Sequence, residues 1–470
     1  MSDTHAMESV GRPGVFAPGR RLLTSGLILV VTMVAFESMA VATVMPLVED
    51  DLGDLALYGW VFSAFFLGTL IGVVVAGTAS DRMRPAVPFA VGLVLFSIGL
   101  LVGGLAPTML VLVLGRALQG LGAGAMPAIS YVCIGRSYRP EQRPKMFALI
   151  SSAWMVPSVI GPLIAAWVGE SIGWRWVFLG LLPLCAAIGA LALVGIRTVP
   201  APEVPSEERN ILTAVRVAAG AGLLLAGLGA TSFLVAIPVS IVGIVILVPA
   251  FRLLTPPGTL RASVGLPATV AVRGLLNFGF FAADAFVPFA IATVKGLPPV
   301  VGGLALTAGA IMWTVASWMQ ARWIDRYGAR RLVVSGLSIV AVGAVGMLVV
   351  LVPAIPGWFG LVAWGIGGFG MGLAYSPLAH VAMGLVGAGQ EGRVTTALQL
   401  SDTLGVALGT GIAGVLVATA VSISDGEMPG LICTFSLASA VAIIGAVLAL
   451  RVPGRRELAS SASSVLGGSP

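Results

Sequence analysis

The sequence predicts an all-α protein that crosses a membrane many times, with two pseudo-symmetric six-helix bundles and two extra helices between them. Three observations predict this fold class: the composition, the number of long apolar segments, and short motifs that recur in both halves of the chain. Hydrophobic residues make up 58% of the 470 positions and charged residues 10%, against roughly 25% charged residues in ordinary soluble domains. A bilayer can cover that much apolar surface, whereas a soluble globule of this size could not.

Fourteen apolar segments, separated by polar breaks, are the predicted membrane spans. A helix needs about 20 apolar residues to cross the hydrocarbon core, and a helix satisfies its own backbone hydrogen bonds there. The weakest break, at residues 230–232, separates the seventh span from the eighth. The predicted spans are 22–46, 56–79, 86–106, 108–135, 146–168, 175–196, 211–230, 233–252, 265–294, 300–321, 332–353, 357–385, 393–420 and 428–450.

The distribution of basic residues sets the predicted orientation. With the amino terminus in the cytoplasm, only Arg175 and Lys295 fall on the outer side, and only Arg116 falls inside a span. We assign every other Lys and Arg to the cytoplasmic side, whereas the outer loop after the first span is acidic. This positive-inside pattern predicts an even number of spans with both termini in the cytoplasm. The acids of that outer loop are Glu49, Asp50, Asp51 and Asp54.

Short motifs recur at an offset of about 244–248 residues, which indicates a duplicated half. GTASDRMR (77–84) follows the second span, and ARWIDRYGARR (321–331) follows the tenth. GLGAGAMP (120–127) is echoed by GFGMGLAY (368–375). The predicted organisation is a cytoplasmic tail (1–21), a six-helix bundle (22–196), a linker with two extra helices (197–262), a second six-helix bundle (263–451) and a disordered cytoplasmic tail (452–470).

Several of these motifs resemble those of the major facilitator superfamily, and the two extra central helices make the chain similar to its fourteen-span drug:proton antiporters. The matching residues are Glu37, Pro46 and Asp51-Leu52-Gly53 around the first span, Arg116, Gln119 and Gly120 in the fourth, and Gly161-Pro162 in the fifth. The chain departs from the family pattern with Glu37 in place of the usual Asp, with Arg84 in place of a Gly, and with Pro157, Ala165 and Ala166 where Gly is frequent.

Glu37 and Arg116 are the first candidates for chemistry, because a charged side chain in the bilayer interior is costly and usually functional. The two residues lie at similar predicted depth, and the resemblance places their helices side by side. We therefore predict that Glu37 carries a proton and that Arg116 is its counter-charge. The alternative is a static ion pair that fixes helix packing. Asp284, 247 residues after Glu37, is nearly its symmetry mate and is predicted either to couple protons or to bind a lipophilic cation; the alternative is an interhelical hydrogen bond.

Two further groups of residues complete the predicted site. The substrate cavity is predicted to include Gln119, Asn277, Phe280, Phe281, Asp402, Trp154 and Met39, with a purely structural role for Asp402 as the alternative. The resemblance implies that conformational gating involves Asp81, Arg82, Arg84, Asp325, Arg326, Gly161 and Pro162. For the basic members of that group, a simple topological role is the alternative.

The sequence argues against an enzyme, a metal site or a nucleic-acid partner. With two histidines and no nucleophile–base pair or metal-ligand cluster, we expect no catalytic residues and no cofactor. The predicted function is proton-coupled export of small amphipathic, often cationic molecules by alternating access. We expect a monomer in the bacterial cytoplasmic (inner) membrane, with protons, a small molecule and lipid as its partners. The alternatives are a dedicated exporter of one endogenous metabolite, antibiotic or lipid, a proton symporter for uptake, and a scaffold or sensor that has lost transport.

Overall fold

The computed structural model describes residues 15–17, 19–139, 141–201, 211–385, 391–424 and 426–454, and no β-strand occurs among them. Thirteen helical segments of these residues are long and apolar enough to cross a bilayer, and a fourteenth apolar helix of 17 residues is slightly shorter. The prediction of a polytopic all-α membrane fold is therefore confirmed. Most residues of the two predicted tails lie outside the described residues.

The first half of the chain forms eight helices that account for the first six predicted spans. The predicted fifth span is interrupted at Ala153 and Trp154, between α5 and α6. Pro157 explains the break, because it has no N–H to donate to the carbonyl of Ala153, four residues earlier. The helices are α1 (Arg21–Leu52), α2 (Tyr58–Ser80), α3 (Ala86–Gly104), α4 (Met109–Ser137), α5 (Arg143–Ser152), α6 (Met155–Ser171), α7 (Arg175–Leu179) and α8 (Leu181–Ile196).

The outer end of α1 differs from the prediction. The helix continues through Pro46 to Leu52, so that Glu49, Asp50 and Asp51 lie in its last turns and not in a loop. Gly53 ends the helix with a φ of 63°, a left-handed conformation that favours glycine. Asp51 then accepts hydrogen bonds from Arg175 Nη1 at 2.5 Å and from Trp174 Nε1 at 3.1 Å. These bonds tie the end of α1 to the start of α7.

Two extra helices, α9 (Ile211–Leu228) and α10 (Phe233–Leu254), form an antiparallel pair. The weak break at 230–232 therefore does separate two helices. α9 packs against α2 on one side and α16 on the other, and α10 is largely exposed on the outer face of this pair. The pair covers the line where α2 meets α16.

The second half of the chain also has a broken helix, at the predicted ninth span. α11 ends at Asp284, and a short α12 and a π-helical turn (Ala290–Val294) continue the segment. Pro288 cannot donate a hydrogen bond to the carbonyl of Asp284, which explains why α11 ends there. The helices are α11 (Leu266–Asp284), α12 (Val287–Phe289), α13 (Pro299–Tyr327), α14 (Ala329–Leu351), α15 (Phe359–Gly384), α16 (Glu391–Ser424) and α17 (Met428–Leu448).

The two halves meet along two helix pairs, α2 with α16 and α6 with α13. Near its outer end α2 packs directly on α16, where a Cβ on Gly59 would lie 2.7 Å from the Cα of Gly414. One turn further in, Ser63 Oγ donates to the carbonyl of Ala407 at 2.8 Å. On the opposite side, a Cβ on Gly303 of α13 would lie 3.3 Å from Pro162. The region between these two contacts holds the candidate site.

Candidate functional site

Glu37 of α1 and Arg116 of α4 form an ion pair inside the first half of the protein. Glu37 is 0% exposed and Arg116 is 1% exposed. Arg116 Nη1 donates to Glu37 Oε1, and Gln119 Nε2 donates to the same oxygen at 3.2 Å. Arg116 Nη1 also donates to Gln119 Oε1 at 3.1 Å. The structure thus brings Glu37 and Arg116 together, with the amide of Gln119 joining both.

The position of Arg116 depends on the close approach of α2. A Cβ on Gly120 would lie 2.0 Å from the carbonyl oxygen of Phe65, so only glycine permits this contact. The same face of α4 continues at Gly124, whose added Cβ would lie 2.2 Å from the carbonyl oxygen of Thr69 in α2. This approach brings the carbonyl of Val61 within 3.2 Å of Arg116 Nε, and the ring of Phe65 lies 4.1 Å from Arg116 Cζ. A carbonyl and an aromatic face thus stabilise the cation away from water.

Only one oxygen of the Glu37 carboxylate is engaged by the pair. Glu37 Oε2 is buried and has no hydrogen-bond partner among the described residues. A buried acceptor without a partner costs about 1–3 kcal/mol, and more for a charged group. The carboxylate is therefore held in place at Oε1 while its second oxygen remains available to a proton.

Asp284 of α11 has a neutral partner in place of an arginine. Trp364 Nε1 of α15 donates to Asp284 Oδ1 at 2.7 Å. Trp364 stands 248 residues after Arg116, and Asp284 stands 247 residues after Glu37, so this contact is the pseudo-symmetric counterpart of the ion pair. The same geometric relation between a carboxylate and a donor occurs in both halves. In the second half the donor carries no charge.

Aromatic side chains surround this second carboxylate and continue across the centre of the protein. Phe280 stacks on Trp364 with ring centroids 4.8 Å apart, and it also contacts Phe281 and Trp313. Phe281 lies 6.5 Å from Phe66 of α2, between ring centroids, so the aromatic surface reaches the first half. Phe66, Phe281 and Trp313 are only half-buried. They therefore offer flat apolar faces beside Asp284.

A second buried ion pair joins Arg273 of α11 to Asp402 of α16. Arg273 Nε and Nη2 donate to the two oxygens of Asp402 at 2.6 and 2.9 Å. Asn277 Nδ2 and the hydroxyl of Tyr375 donate to the same carboxylate at 2.7 and 3.2 Å. Arg273 Nη1 donates to the carbonyl of Tyr375 at 2.5 Å, and its guanidinium lies 3.3 Å from the centre of that ring. Every oxygen of Asp402 is thus bonded.

Arg273 is the buried charged residue that the sequence prediction missed. The prediction that only Arg116 lies inside a span is wrong, because Arg273 is seven residues into α11 and its side chain is 6% exposed. The available signal was a basic residue near the start of the predicted ninth span and a carboxylate, Asp402, at a comparable distance from the start of the predicted thirteenth span. Asp402, predicted to line the cavity or to be structural, is 16% exposed and bonded as described.

We expect the Arg273–Asp402 pair to be essential for folding. Removing one partner of a buried pair leaves an uncompensated charge and costs about 3–5 kcal/mol. Arg273→Gln and Asp402→Asn should therefore each lower the yield of monodisperse protein and its unfolding temperature in detergent. The double variant Arg273→Gln/Asp402→Asn should recover much of that loss, because it leaves no unpaired charge. Single variants as stable as the wild type would contradict this expectation.

The remaining predicted cavity residues are divided between buried and open positions. Gln119 and Asn277 do not line open space: both are buried, and both bond a carboxylate of an ion pair. Met39 is partly exposed on α1 and faces Gly161 of α6, whose added Cβ would lie 3.6 Å from that of Met39. Trp154, at the break before α6, is 44% exposed.

The predicted gating residues lie at the ends of α2 and α13 that are predicted to face the cytoplasm, except for Gly161 and Pro162 in α6. Asp81 caps α2 and pairs at 3.8 Å with Arg136 of α4, within its own half. Arg82 and Arg84 are exposed in the turn that follows. Asp325 and Arg326 are exposed near the end of α13. Pro162 contacts α13 of the other half through Gly303.

The two halves are in contact at the ends of their helices that are predicted to face outward. Tyr58 of α2 packs against Phe286 and Phe289 with ring centroids 5.0 and 5.2 Å apart. On the opposite side, the backbone N–H of Val300 donates to Glu170 Oε1 at 3.2 Å. These aromatic and polar contacts therefore close the protein over Glu37 and Asp284 at the end where α1 terminates, at Leu52.

The chain matches the family model described as Major Facilitator Superfamily over residues 27–410. It is 27% identical to the multidrug transporter protein MdtP of Bacillus subtilis (strain 168) over 341 residues, which is 69% of this chain and 62% of that protein. The aligned segment therefore spans less than two thirds of that relative. A probable multidrug-efflux transporter of Mycobacterium tuberculosis (strain CDC 1551 / Oshkosh) is 26% identical over 441 residues, 88% of this chain and 91% of that protein.

Solved structures of transporters share this fold. An auto-inhibited peptide transporter of the POT family superposes with a TM-score of 0.67 at 16% identity, over 91% of this chain and 96% of that one. The xylose transporter XylE from E. coli, in a partially occluded inward-open conformation, superposes with a TM-score of 0.63 at 13% identity, over 93% of this chain and 98% of that one. At such low identity these likenesses concern the fold alone.

Proposed function

The chain belongs to the Major Facilitator Superfamily, and we propose that it is a proton-coupled antiporter that exports small amphipathic or lipophilic molecules, often cations, by alternating access. The names of its relatives from Bacillus and Mycobacterium as multidrug transporters support export of drug-like compounds. One observation carries the proposal. Two symmetry-related carboxylates lie in the membrane interior, and only one of them, Glu37, has an arginine as its partner.

In this mechanism Glu37 binds and releases the coupling proton. Burial disfavours an ionised carboxylate, whereas a neighbouring guanidinium favours it. Opening the site to water on one side of the membrane changes the balance between these two effects. Arg116 and Gln119 hold Glu37 Oε1, so the proton exchanges at Oε2 without a large movement of the side chain.

Asp284 supplies the negative charge that attracts a cationic substrate. Trp364 orients the carboxylate but does not neutralise it. Phe280, Phe281 and Trp313 present aromatic rings next to it, and a desolvated cation over an aromatic face gains about 2 kcal/mol or more. The rings themselves offer mainly apolar faces, which favours lipophilic cations over sugars.

The two halves then rock about the site, as inverted and parallel repeats do in other secondary transporters. Substrate enters from the cytoplasm or the inner leaflet, the outer contacts of Tyr58 with Phe286 and Phe289 open, and the substrate leaves. One elementary charge moving across 100 mV supplies about 2.3 kcal/mol. Since about 1.4 kcal/mol is a factor of ten, one proton can sustain a gradient of a neutral substrate of roughly fortyfold per 100 mV, whereas one-for-one exchange with a monovalent cation moves no net charge and is driven by the pH difference alone.

The cellular setting belongs to the same proposal. We infer a monomer in the bacterial cytoplasmic membrane with both termini in the cytoplasm, two six-helix bundles at 22–196 and 263–451, and a linker with two helices at 197–262. The positive-inside pattern supports the orientation. A cavity formed between two halves of one chain supports the monomer.

Substrate-induced proton movement in inside-out vesicles tests the function. Respiration acidifies the lumen, a pH-sensitive dye reports it, and lipophilic cations are then added outside. Antiport predicts that each substrate makes the lumen less acidic within seconds, because protons leave as the substrate enters. Vesicles without the protein are the control.

The outcomes separate the alternatives. If a dye panel has no effect but an extract of the producing cell's own metabolites does, the protein is a dedicated exporter. If neither the panel nor the extract moves protons, proton antiport is contradicted. A symporter for uptake would not release lumenal protons when substrate is added to this face.

A further inference from the structure

A groove on the lipid-facing surface runs between α14 and α17. Its volume is about 480 Å³, and apolar side chains line almost all of it. It lies outside the interface between the two halves, on the far side of α14 and α17 from the ion pairs. Its walls are Val334, Ser338, Ala341, Val342 and Val345 of α14, and Ser439, Ile443, Ala446, Val447 and Leu450 at the end of the chain's last span.

The groove has the length and direction of one lipid acyl chain. Val345 lies eleven residues after Val334 on α14, which is a rise of about 16 Å at 1.5 Å per residue. Half of the roughly 30 Å hydrocarbon core is about the same distance. Both walls begin where the helices begin or end, at the side of the membrane predicted to be cytoplasmic. The groove therefore spans one leaflet, from the interface to about the midplane.

An arginine stands at the interfacial end of each wall. Arg331 precedes Val334 by three residues and Ser338 by seven, so it shares the groove face of α14. Arg451 directly follows Leu450 on the other wall. Both side chains are exposed. Arg451 Nη1 donates to the carbonyls of Arg261 and Ala262 at 2.9 and 3.3 Å, which holds this arginine at the rim.

Hydrogen bonds hold the chain in place at the end of the groove where the two arginines lie. Arg330 Nε donates to the carbonyl of Val452 at 2.6 Å, which ties the start of α14 to the chain that follows α17. The backbone N–H of Gly265 donates to the carbonyl of Arg451 at 3.2 Å. These bonds join the start of α14 to the chain after α17, so the ends of the two walls lie close together.

We propose that this groove binds one anionic phospholipid, with an acyl chain along the walls and the phosphate between Arg331 and Arg451. Guanidinium groups form strong charge-assisted hydrogen bonds with phosphate oxygens. A basic pocket between spanning helices at the cytoplasmic interface has the chemistry that recognises anionic headgroups. A zwitterionic lipid could fill the groove but would place its own cation next to the two arginines. The proposal does not depend on what the protein transports.

Native mass spectrometry of the full-length, delipidated protein tests the proposal by titration with phosphatidylglycerol and phosphatidylcholine of the same acyl chains. We expect one phosphatidylglycerol to bind the wild type at least tenfold more tightly than phosphatidylcholine. Each basic side chain contributes about a factor of five near an anionic surface. Arg331→Gln/Arg451→Gln should therefore weaken phosphatidylglycerol binding roughly thirtyfold, whereas Arg331→Lys/Arg451→Lys should retain most of it.

Two further variants keep the test decisive. Ser338 is exposed in the groove, so Ser338→Phe should fill the groove and displace both lipids without disturbing the interior. Arg197→Gln/Arg322→Gln removes the same charge from exposed arginines elsewhere and should bind phosphatidylglycerol as the wild type does. Equal affinity for the two lipids, unchanged binding by the Ser338→Phe protein, or an equal loss in the Arg197/Arg322 control would each overturn the proposal.

Discussion

The Glu37→Gln protein is expected to lose proton-driven accumulation of a lipophilic cation in inside-out vesicles, by at least a factor of ten. Glutamine has nearly the same shape and keeps an oxygen acceptor for Arg116 and Gln119, which both donate to Glu37 Oε1. It cannot carry a proton, so the substrate gradient is no longer coupled to the proton gradient. The measurement is dye accumulation with and without the proton gradient, at equal amounts of inserted protein.

Glu37→Asp is the matched control for this experiment. Aspartate keeps the titratable group, although it shortens the side chain by one methylene, and should retain gradient-driven transport. Exchange of labelled for unlabelled substrate without a proton gradient should persist in Glu37→Gln, which separates lost coupling from lost folding. Full gradient-driven accumulation by Glu37→Gln would show that the coupling proton binds elsewhere. Loss of both exchange and accumulation would favour the static ion pair, because leaving Arg116 unpaired destabilises the protein.

The Trp364→Arg protein is expected to discriminate against cations. The substitution places in the second half the arginine that the first half already has, next to Asp284. An internal ion pair would then neutralise the carboxylate, and a substrate cation would also meet a like charge. A loss of about 3 kcal/mol corresponds to more than a hundredfold weaker apparent affinity for cations. Uptake of a monovalent lipophilic cation and of a neutral amphipath, measured in the same vesicles, gives the two apparent KM values.

Two other variants distinguish charge from packing. Trp364→Phe keeps the ring that stacks on Phe280 but removes the donor to Asp284, so cation transport should fall only severalfold. Asp284→Asn should abolish the preference for cations while transport of the neutral compound continues. The idea that Asp284 binds the substrate cation fails if Trp364→Arg or Asp284→Asn changes the two apparent KM values by the same factor.

The two ion pairs differ in a way that assigns them different tasks. Both oxygens of Asp402 are bonded, by Arg273, Asn277 and Tyr375, and these bonds join α11, α15 and α16. Glu37 has one bonded oxygen and one without a partner among the described residues. A fully bonded carboxylate resists protonation and movement, whereas a half-bonded one can exchange a proton. This contrast supports Asp402 as a structural residue and Glu37 as the coupling residue.

The amino-acid sequence by itself determined the class of the protein and most of its membrane-spanning helices, and it predicts the two duplicated halves. Hydropathy along a segment and the charge at its ends are local properties, so a run of about 20 apolar residues implies a span in any context. The division of this region into two separate helices, α9 and α10, could be predicted for the same reason. The interruptions before Pro157 and Pro288 also have a local signal, the missing N–H of each proline, although neither proline interrupts its apolar run.

Only the tertiary structure decided which buried side chains meet. A helix turns by about 100° per residue, so a match in depth leaves the direction of a side chain undetermined. Arg273 and Asp402 lie 129 residues apart on different helices, and only the rotation of α11 and α16 about their axes brings them together. The contact of Asp284 with Trp364 depends on the same non-local packing. Asp284 and Trp364 can both be read from the sequence. Only the packing of α11 against α15 shows that they are in contact, and therefore that Asp284 has a neutral partner where Glu37 has an arginine.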